Sequence, residues 1–406
     1  MSTGPKAPVA VVASRYPKLS ETFVYREVAA LRARGRPVRT VTLRAPDAGG
    51  DGDAALLGDV GPADVVVYAP GIATRGLREL LRHPLRGLGT LALAVRDALA
   101  PGEPLSLRGR AALLVQAWAG LALADDLRTH GIGHLHCHFA HAPTGVGLYA
   151  ARQIGGRFSF VGHANDLFRN RSLLRRKLAR AAFVSCISQW HRDWYAGLVP
   201  SCAPRLHVVR CGVEPGEFAP GDAPADGPLR VLSVARLVPK KGIDLLVRAL
   251  AESDLDWRLD VVGDGPERAS LEALARELGV GDRVTLHGPL PNDRVAACMR
   301  EADLFALPCR VDAGGDRDGI PVVLMEAMAT GLPVVAGDLP TLRDLVRPDE
   351  TGLLTPPGEV SPLREALRRL AGDAALRERL ARAGRRHVEE EFSLAANAAR
   401  LDAQLP

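Results

Sequence analysis

Aromatic side chains make up only 4% of this 406-residue chain, and the net charge is a modest +5. That leaves little to stack on unpaired bases and too little charge to hold a phosphate backbone, so nucleic acid is excluded as a partner. Cysteine is also sparse. The six, Cys137, Cys186, Cys202, Cys211, Cys298 and Cys309, include no Cys-x-x-Cys pair, which gives neither a metal knuckle nor a disulfide framework, and free thiols in a cytoplasmic protein are the expectation. Long apolar runs are missing too. The longest, residues 111–124, spans 14 residues with a glutamine inside, short of the roughly 20 that cross a bilayer, and it reads as a packed helix. The opening run, residues 9–13, is too short for a secretion signal and no cleavage pattern follows it.

What is present is ordinary globular composition, 47% hydrophobic and 24% charged, with length for two to three domains. Residues 9–13 form a strand that runs into a loop, Ser14 to Leu19. Ser20 is placed to cap a helix with Glu21 in its first turn and Val24, Val28 and Leu31 at helical spacing. Strand, loop and capped helix open a doubly wound α/β domain, whose ligands sit at the carboxyl ends of its strands. Residues 38–43 and 65–68 continue as strands around a Gly/Asp-rich loop at 47–53. From 74 to 126 the pattern is helical, and Arg75, Arg78, Arg82 and Arg86, three to four apart, should share one face. Such a face is either solvated or a contact for anionic lipid or a lipid-phosphate acceptor, and the basic helix at 169–180 offers a second. Residues 184–188 and 206–210 complete the first sheet. A Gly/Pro/Ala/Asp-rich linker at 216–227 precedes a second alternation, with strands at 230–235, 259–263, 284–287, 304–307 and 334–336, and residues 365–400 are helical.

Three stretches carry chemistry. His134, His136 and His138 would project to one side of a strand and invite a zinc test, but no acidic ligand stands at fitting spacing nearby. His163 ends the strand that begins at Phe158, where ligands gather. The third is Asp318 to Ala336: a loop carboxylate, a helix opened by Pro321 as first helical residue and closed by Gly331, and a buried strand. The unbonded amides of Val322 and Val323 at the helix mouth make an anion site, and Glu326 lies a turn and a half inside, within reach of a sugar hydroxyl beside a docked phosphate. Packing alone would also account for such a helix.

Asp318, then seven intervening residues, then Glu326-Ala327-Met328-Ala329 resembles the acidic signature of the retaining glycosyltransferases of family four. Arg236 to Gly242, within ARLVPKKG, resembles the family's diphosphate-binding Arg and Lys, and Arg15 to Phe23 resembles its exopolysaccharide, colanic-acid-like branch. The resemblance covers nearly the whole chain and is strongest from Arg230 to Thr355. It implies the GT-B fold, two Rossmann-like doubly wound parallel-sheet domains facing a central cleft. The N-terminal acceptor domain would be residues 1–215 and the nucleotide-sugar domain 216–385, with 386–406 a helix crossing back to the first. It also implies His163, Arg236, Lys241 and Asp318 as catalytic residues. Arg236, Lys241, Glu326 and the amides of Val322 and Val323 would hold the donor, a nucleoside diphosphate sugar expected to be a UDP-sugar. The acceptor class is a saccharide, a lipid-linked saccharide or a small natural product.

No cofactor or metal is required on this reading, because Arg236, Lys241 and the helix amides meet the leaving-group charge. Asp51-Gly-Asp53 and Asp254-Leu-Asp256 have the spacing of metal-binding transferases, but neither ends an apolar strand. Two departures stand out: the family usually has Glu where Asp318 stands, and Gly263-Asp264-Gly265 lacks the third glycine of a dinucleotide fingerprint. The implied enzyme is a cytoplasmic, membrane-peripheral, retaining glycosyltransferase. A nucleotide-sugar 2-epimerase of the same fold and a non-catalytic nucleotide-sugar-binding subunit are the alternatives.

Overall fold

The computed structural model describes residues 5–18, 21–45, 60–101, 105–168, 171–221 and 227–406, with the backbone alone at Asn165. Ser20, Asp51-Gly-Asp53, Arg169 and residues 222–226 of the expected linker lie outside them. Two compact units result, Met1–Arg210 with Leu394–Pro406, and Cys211–Ser393. The chain therefore changes unit at 210/211 and 393/394, not at the expected 215/216 and 385/386.

The first unit is built on seven strands: β1 (Val9–Arg15), β2 (Val38–Arg44), β3 (Val65–Val66), β4 (His134–His138), β5 (Arg157–Gly162), β6 (Val184–Cys186) and β7 (Leu206–Val208). They pair in parallel in the order β3-β2-β1-β4-β5-β6-β7. Its helices are α1 (Thr22–Ala33), α2 (Ile72–Arg82), α3 (Pro84–Ala98), α4 (Leu107–Thr129), α5 (Ala142–Ile154), α6 (Asn165–Phe168), α7 (Leu174–Arg180) and α8 (Gln189–Leu198). Strands such as β1 read as unbroken apolar runs because both faces of a parallel sheet are covered, and Val9 to Ala13 are all buried.

The second unit holds six strands: β8 (Leu229–Val234), β9 (Trp257–Val262), β10 (Val284–Gly288), β11 (Leu304–Leu307), β12 (Val334–Gly337) and β13 (Leu353–Thr355). Their order is β10-β9-β8-β11-β12-β13, again parallel. The helices are α9 (Ile243–Ala251), α10 (Arg268–Glu277), α11 (Asn292–Glu301), α12 (Val322–Ala329), α13 (Val360–Gly372) and α14 (Ala374–Glu391). A last helix, α15 (Leu394–Asp402), returns to the first unit, where the Asp402 carboxylate pairs with Arg36 and Lys6. The sequence reading has no counterpart for β13, three residues long.

Two expectations about the basic stretches are corrected. The helical region after Thr74 is broken at His83 and again before Leu107, so Arg86 lies on α3 and cannot share a helix face with Arg75, Arg78 and Arg82 on α2. The stretch ending at Arg180 is turned largely inward: Lys177 is fully buried and donates to the carbonyls of Ala140 and His141 at 2.7 and 2.8 Å. Arg176 and Arg180 converge on the buried Asp97 carboxylate at 3.1 and 2.6 Å, while Arg175 is exposed and donates to the Leu198 carbonyl at 2.6 Å.

Candidate active site

Each unit carries a polar cluster at the carboxyl ends of its strands. In the second unit the loop after β8 runs Ala235, Arg236, Leu237, Val238 and then a single turn, Pro239–Lys241, closed by Gly242 at φ 68°. A Cβ on Gly242 would lie 2.2 Å from the Pro308 carbonyl oxygen, so only glycine lets this loop sit against the end of β11. The Arg310 amide donates to the Lys240 carbonyl across the same seam at 2.8 Å. That seam brings Lys241 to Asp318.

The Lys241 ammonium meets Asp318 Oδ2 at 2.9 Å, and Lys240 meets Oδ1 at 3.4 Å. Cys309 Sγ donates to the same Oδ2 at 3.1 Å, and Lys240 also pairs with Asp316 at 3.1 Å. Burial alone would raise the Asp318 pKa, but Lys241, Lys240 and these hydrogen bonds outweigh it and hold the carboxyl below its ordinary range. For Lys241, burial would favour loss of its proton, yet Asp318 reverses this and raises its pKa, so it stays an ammonium. Burial, then the Asp318 carboxylate, pushes the Cys309 thiol well above its usual value. Asp318 is thus held by two lysines, and with both oxygens engaged it positions Lys241 in the structure as it stands. The sequence reading had it as a catalytic residue.

Arg236 is exposed at the mouth of the same loop. On the other side α12 begins. Its N-cap is Pro321, in extended backbone at φ −64°, ψ 122°, and Val322 is the first helical residue. The prediction of Pro321 inside the first turn is off by one position, because its carbonyl already accepts from the Leu324 amide. Val322 and Val323 remain the first two amides of the helix, where the positive end of its dipole lies. Thr330 is the C-cap, and Gly331 at φ 80° follows; its amide bonds Met328 and that of Leu332 bonds Ala327, the two-bond closure that glycine favours. Glu326 is half-buried in the middle of this helix. Asp254, of the Asp254-Leu-Asp256 pair, is instead bound to Arg368 at 3.2 Å.

In the first unit His163 follows the last residue of β5 and is buried. Its ring centroid lies 4.3 Å from that of Phe23 and 4.9 Å from that of Phe139, and it stacks on His138 at 5.7 Å. Asp166 fixes the turn by accepting from the amides of His163, Ala164 and Ala140. Burial and then the neighbouring histidines, His138 first, drive the His163 pKa well below its ordinary value, so the imidazole is neutral at neutral pH.

The three strand histidines divide. His134 and His136 share Ser159 Oγ at 2.8 Å each, while His138 Nε2 hydrogen-bonds Glu27 Oε1 at 3.0 Å. The acid that the sequence reading found missing comes from α1. Burial would raise Glu27, but His138 overrides it and its pKa is lowered; burial drives His136 down to about 3. Among the described residues Glu27, His136 and His138 form the one group with potential metal-ligand atoms gathered within 4.8 Å. The Ser159 bridge and the Glu27 hydrogen bond engage one nitrogen each of His136 and His138, while His136 Nε2 and His138 Nδ1 are buried without a hydrogen-bond partner among the described residues.

Sequence reasoning missed Lys240, Cys309, Asp316 and Glu27 as members of these clusters. The doubled lysine of Lys240-Lys241 was the one available signal.

Residues 218–387 match the family described as "Glycosyl transferases group 1". The amylovoran biosynthesis glycosyltransferase AmsK of Erwinia amylovora is 36% identical over 269 residues, 63% of this chain and 65% of that protein. The chain thus spans less than two thirds of that curated relative. A 2-deoxystreptamine glucosyltransferase of Streptomyces kanamyceticus is 30% identical over 345 residues, 74% of this chain and 85% of that one. Among solved structures, Anabaena Alr3699/HepE in complex with UDP superposes with a TM-score of 0.73 at 18% identity, covering 98% of this chain and 99% of that one, a likeness of fold.

Proposed function

The chain belongs to the group 1 glycosyl transferases, with the GT-B fold, and on that premise we propose that it is a retaining, metal-independent glycosyltransferase. The donor is a nucleoside diphosphate sugar, with UDP the preferred carrier, and the acceptor is a saccharide, a lipid-linked saccharide or a small natural product. The observation that carries the reading is the Lys241–Asp318 pair beside the α12 mouth.

Transfer breaks the bond between the anomeric carbon and a diphosphate oxygen, and the electron pair leaves with the diphosphate. Negative charge therefore grows on the leaving group. Lys241, Arg236 and the amides of Val322 and Val323 would meet that charge, and preorganised donors of this kind stabilise developing charge without reorganising. They supply what a divalent ion supplies in metal-dependent transferases. Glu326 would hold a hydroxyl of the sugar, and the neutral His163 of the first unit would serve the reaction as a hydrogen-bonding group.

A thermal-shift screen tests the donor assignment. Uridine diphosphate and its sugars should raise the melting temperature more than guanosine or adenosine counterparts, with chelator present, and Arg236→Ala should abolish the shift. A larger shift with guanosine diphosphate sugars would move the base, and no shift with any nucleotide would remove the donor site.

A further inference from the structure

The helices of the first unit that follow β3 expose leucine where a solvated helix would expose charge. On α3, Leu85, Leu88, Ala92, Val95 and Leu99 at its C-cap recur at spacings of three and four, which puts them on one stripe, and all are exposed, Leu85 to 87% and Leu99 to 74%. On α4, Leu107 is 85% exposed, and Leu114 and Val115 follow on the solvent side. Leu77 and Leu81 extend the surface onto α2. Among the described residues Val311 is the one exposed large hydrophobic that lies elsewhere.

These stripes adjoin. Arg110 on α4 donates to the Ala98 carbonyl of α3, and Gly87 of α3 lies against Leu121 of α4, so the two helices run antiparallel with Val95 about level with Leu114. Gly76 of α2 lies directly against Trp118 of α4, which seats α2 on the same layer. Single exposed leucines need no explanation, but a contiguous apolar patch marks a surface that meets something.

Charge selects the occupant. Arg78, Arg82, Arg86, Arg96 and Arg108 are exposed on these helices. The described acidic residues on them are Glu79 and Asp97, buried and engaged by Arg128 and by Arg176 and Arg180, and, towards the C-terminal end of α4, Asp126, which pairs with Arg39, and the exposed Asp125, which pairs with Arg82 at 3.1 Å. Leucines rimmed by arginines match a bilayer of anionic lipid, apolar side chains entering the headgroup boundary and guanidinium groups meeting phosphates. A second copy docked by the same patch would set arginine against arginine. Among the described residues no helix is long and apolar enough to cross a membrane, so the contact proposed for this face is lateral.

We propose that α2, α3 and α4 form a docking face for an anionic membrane surface, through the exposed leucines of α3 and α4 with the arginines of α2 and α3 as its electrostatic rim. This goes beyond the transfer reaction and does not depend on it. The test is cosedimentation of the full chain with phosphatidylglycerol and with phosphatidylcholine vesicles, for the wild type and for a Leu85→Ser/Leu99→Ser/Leu107→Ser variant, with sedimentation velocity alongside. These positions are exposed, so the variant should keep its melting temperature and its activity on a soluble acceptor. The wild type should bind phosphatidylglycerol selectively, less so at high salt, and the variant should lose about tenfold or more of that partitioning. Equal or negligible binding to both vesicles, or a variant that binds like the wild type, overturns the proposal. So does a wild-type dimer that the serine variant dissolves, which would assign the face to a second copy.

Discussion

Lys241→Met should lower turnover by about a hundredfold or more while the protein stays folded, because it deletes the ammonium that meets Asp318 Oδ2 at the proposed leaving-group site and keeps most of the side-chain volume. Asp318 would still have Lys240 at 3.4 Å, so the stability lost should fall short of the roughly 3–5 kcal/mol expected when a buried charge is left with no partner. Lys241→Met combined with Asp318→Asn separates the two effects. The double variant removes both charges, should recover melting temperature, and should stay inactive. Steady-state rates with calorimetry read both quantities. Near-normal turnover in either variant would mean that Lys241 does not meet the leaving group.

His163→Ala is the second large effect expected, about a hundredfold in turnover. A neutral imidazole held between Phe23 and Phe139 is rigid, and a rigid group costs little to align with a substrate. Since its pKa lies well below the ordinary histidine value, the wild-type rate should show no histidine protonation between about pH 7.5 and about pH 6. His163→Asn refills part of the site, and a variant of unchanged stability but lost activity separates catalysis from packing. A rate that survives either substitution would return His163 to a structural role.

The strands were readable because parallel sheets covered on both faces write themselves as apolar runs. Residues 9–13 and 304–307 are buried throughout, and both fall inside observed strands. The short edge strand Leu353–Thr355 was not readable, since three residues carry no periodicity. The Pro321 to Gly331 helix was legible through its boundary residues, with an error of one position at the start. Which groups touch was not legible. Nothing along the chain announces that Asp318 lies against both Lys241 and Cys309, or that Glu27 on α1 meets His138 on β4. The spacing of Leu85, Leu88, Val95 and Leu99 shows a stripe, but only the packed structure tells that it faces outward. For the same reason residues 111–124 read as wholly packed, although Leu114 and Val115 are exposed.

The central claim is that this chain moves sugar from a nucleoside diphosphate carrier using its own fixed positive groups. It is tested most directly by nucleoside diphosphate release from UDP-, GDP- and ADP-sugars in excess chelator, with and without saccharide, lipid-linked and small-molecule acceptors. The account predicts acceptor-stimulated release from one of these donors with chelator present, and a product whose anomeric configuration matches the donor's. Release that requires manganese or magnesium, an inverted product, or conversion of the nucleotide sugar to its epimer without transfer would contradict it.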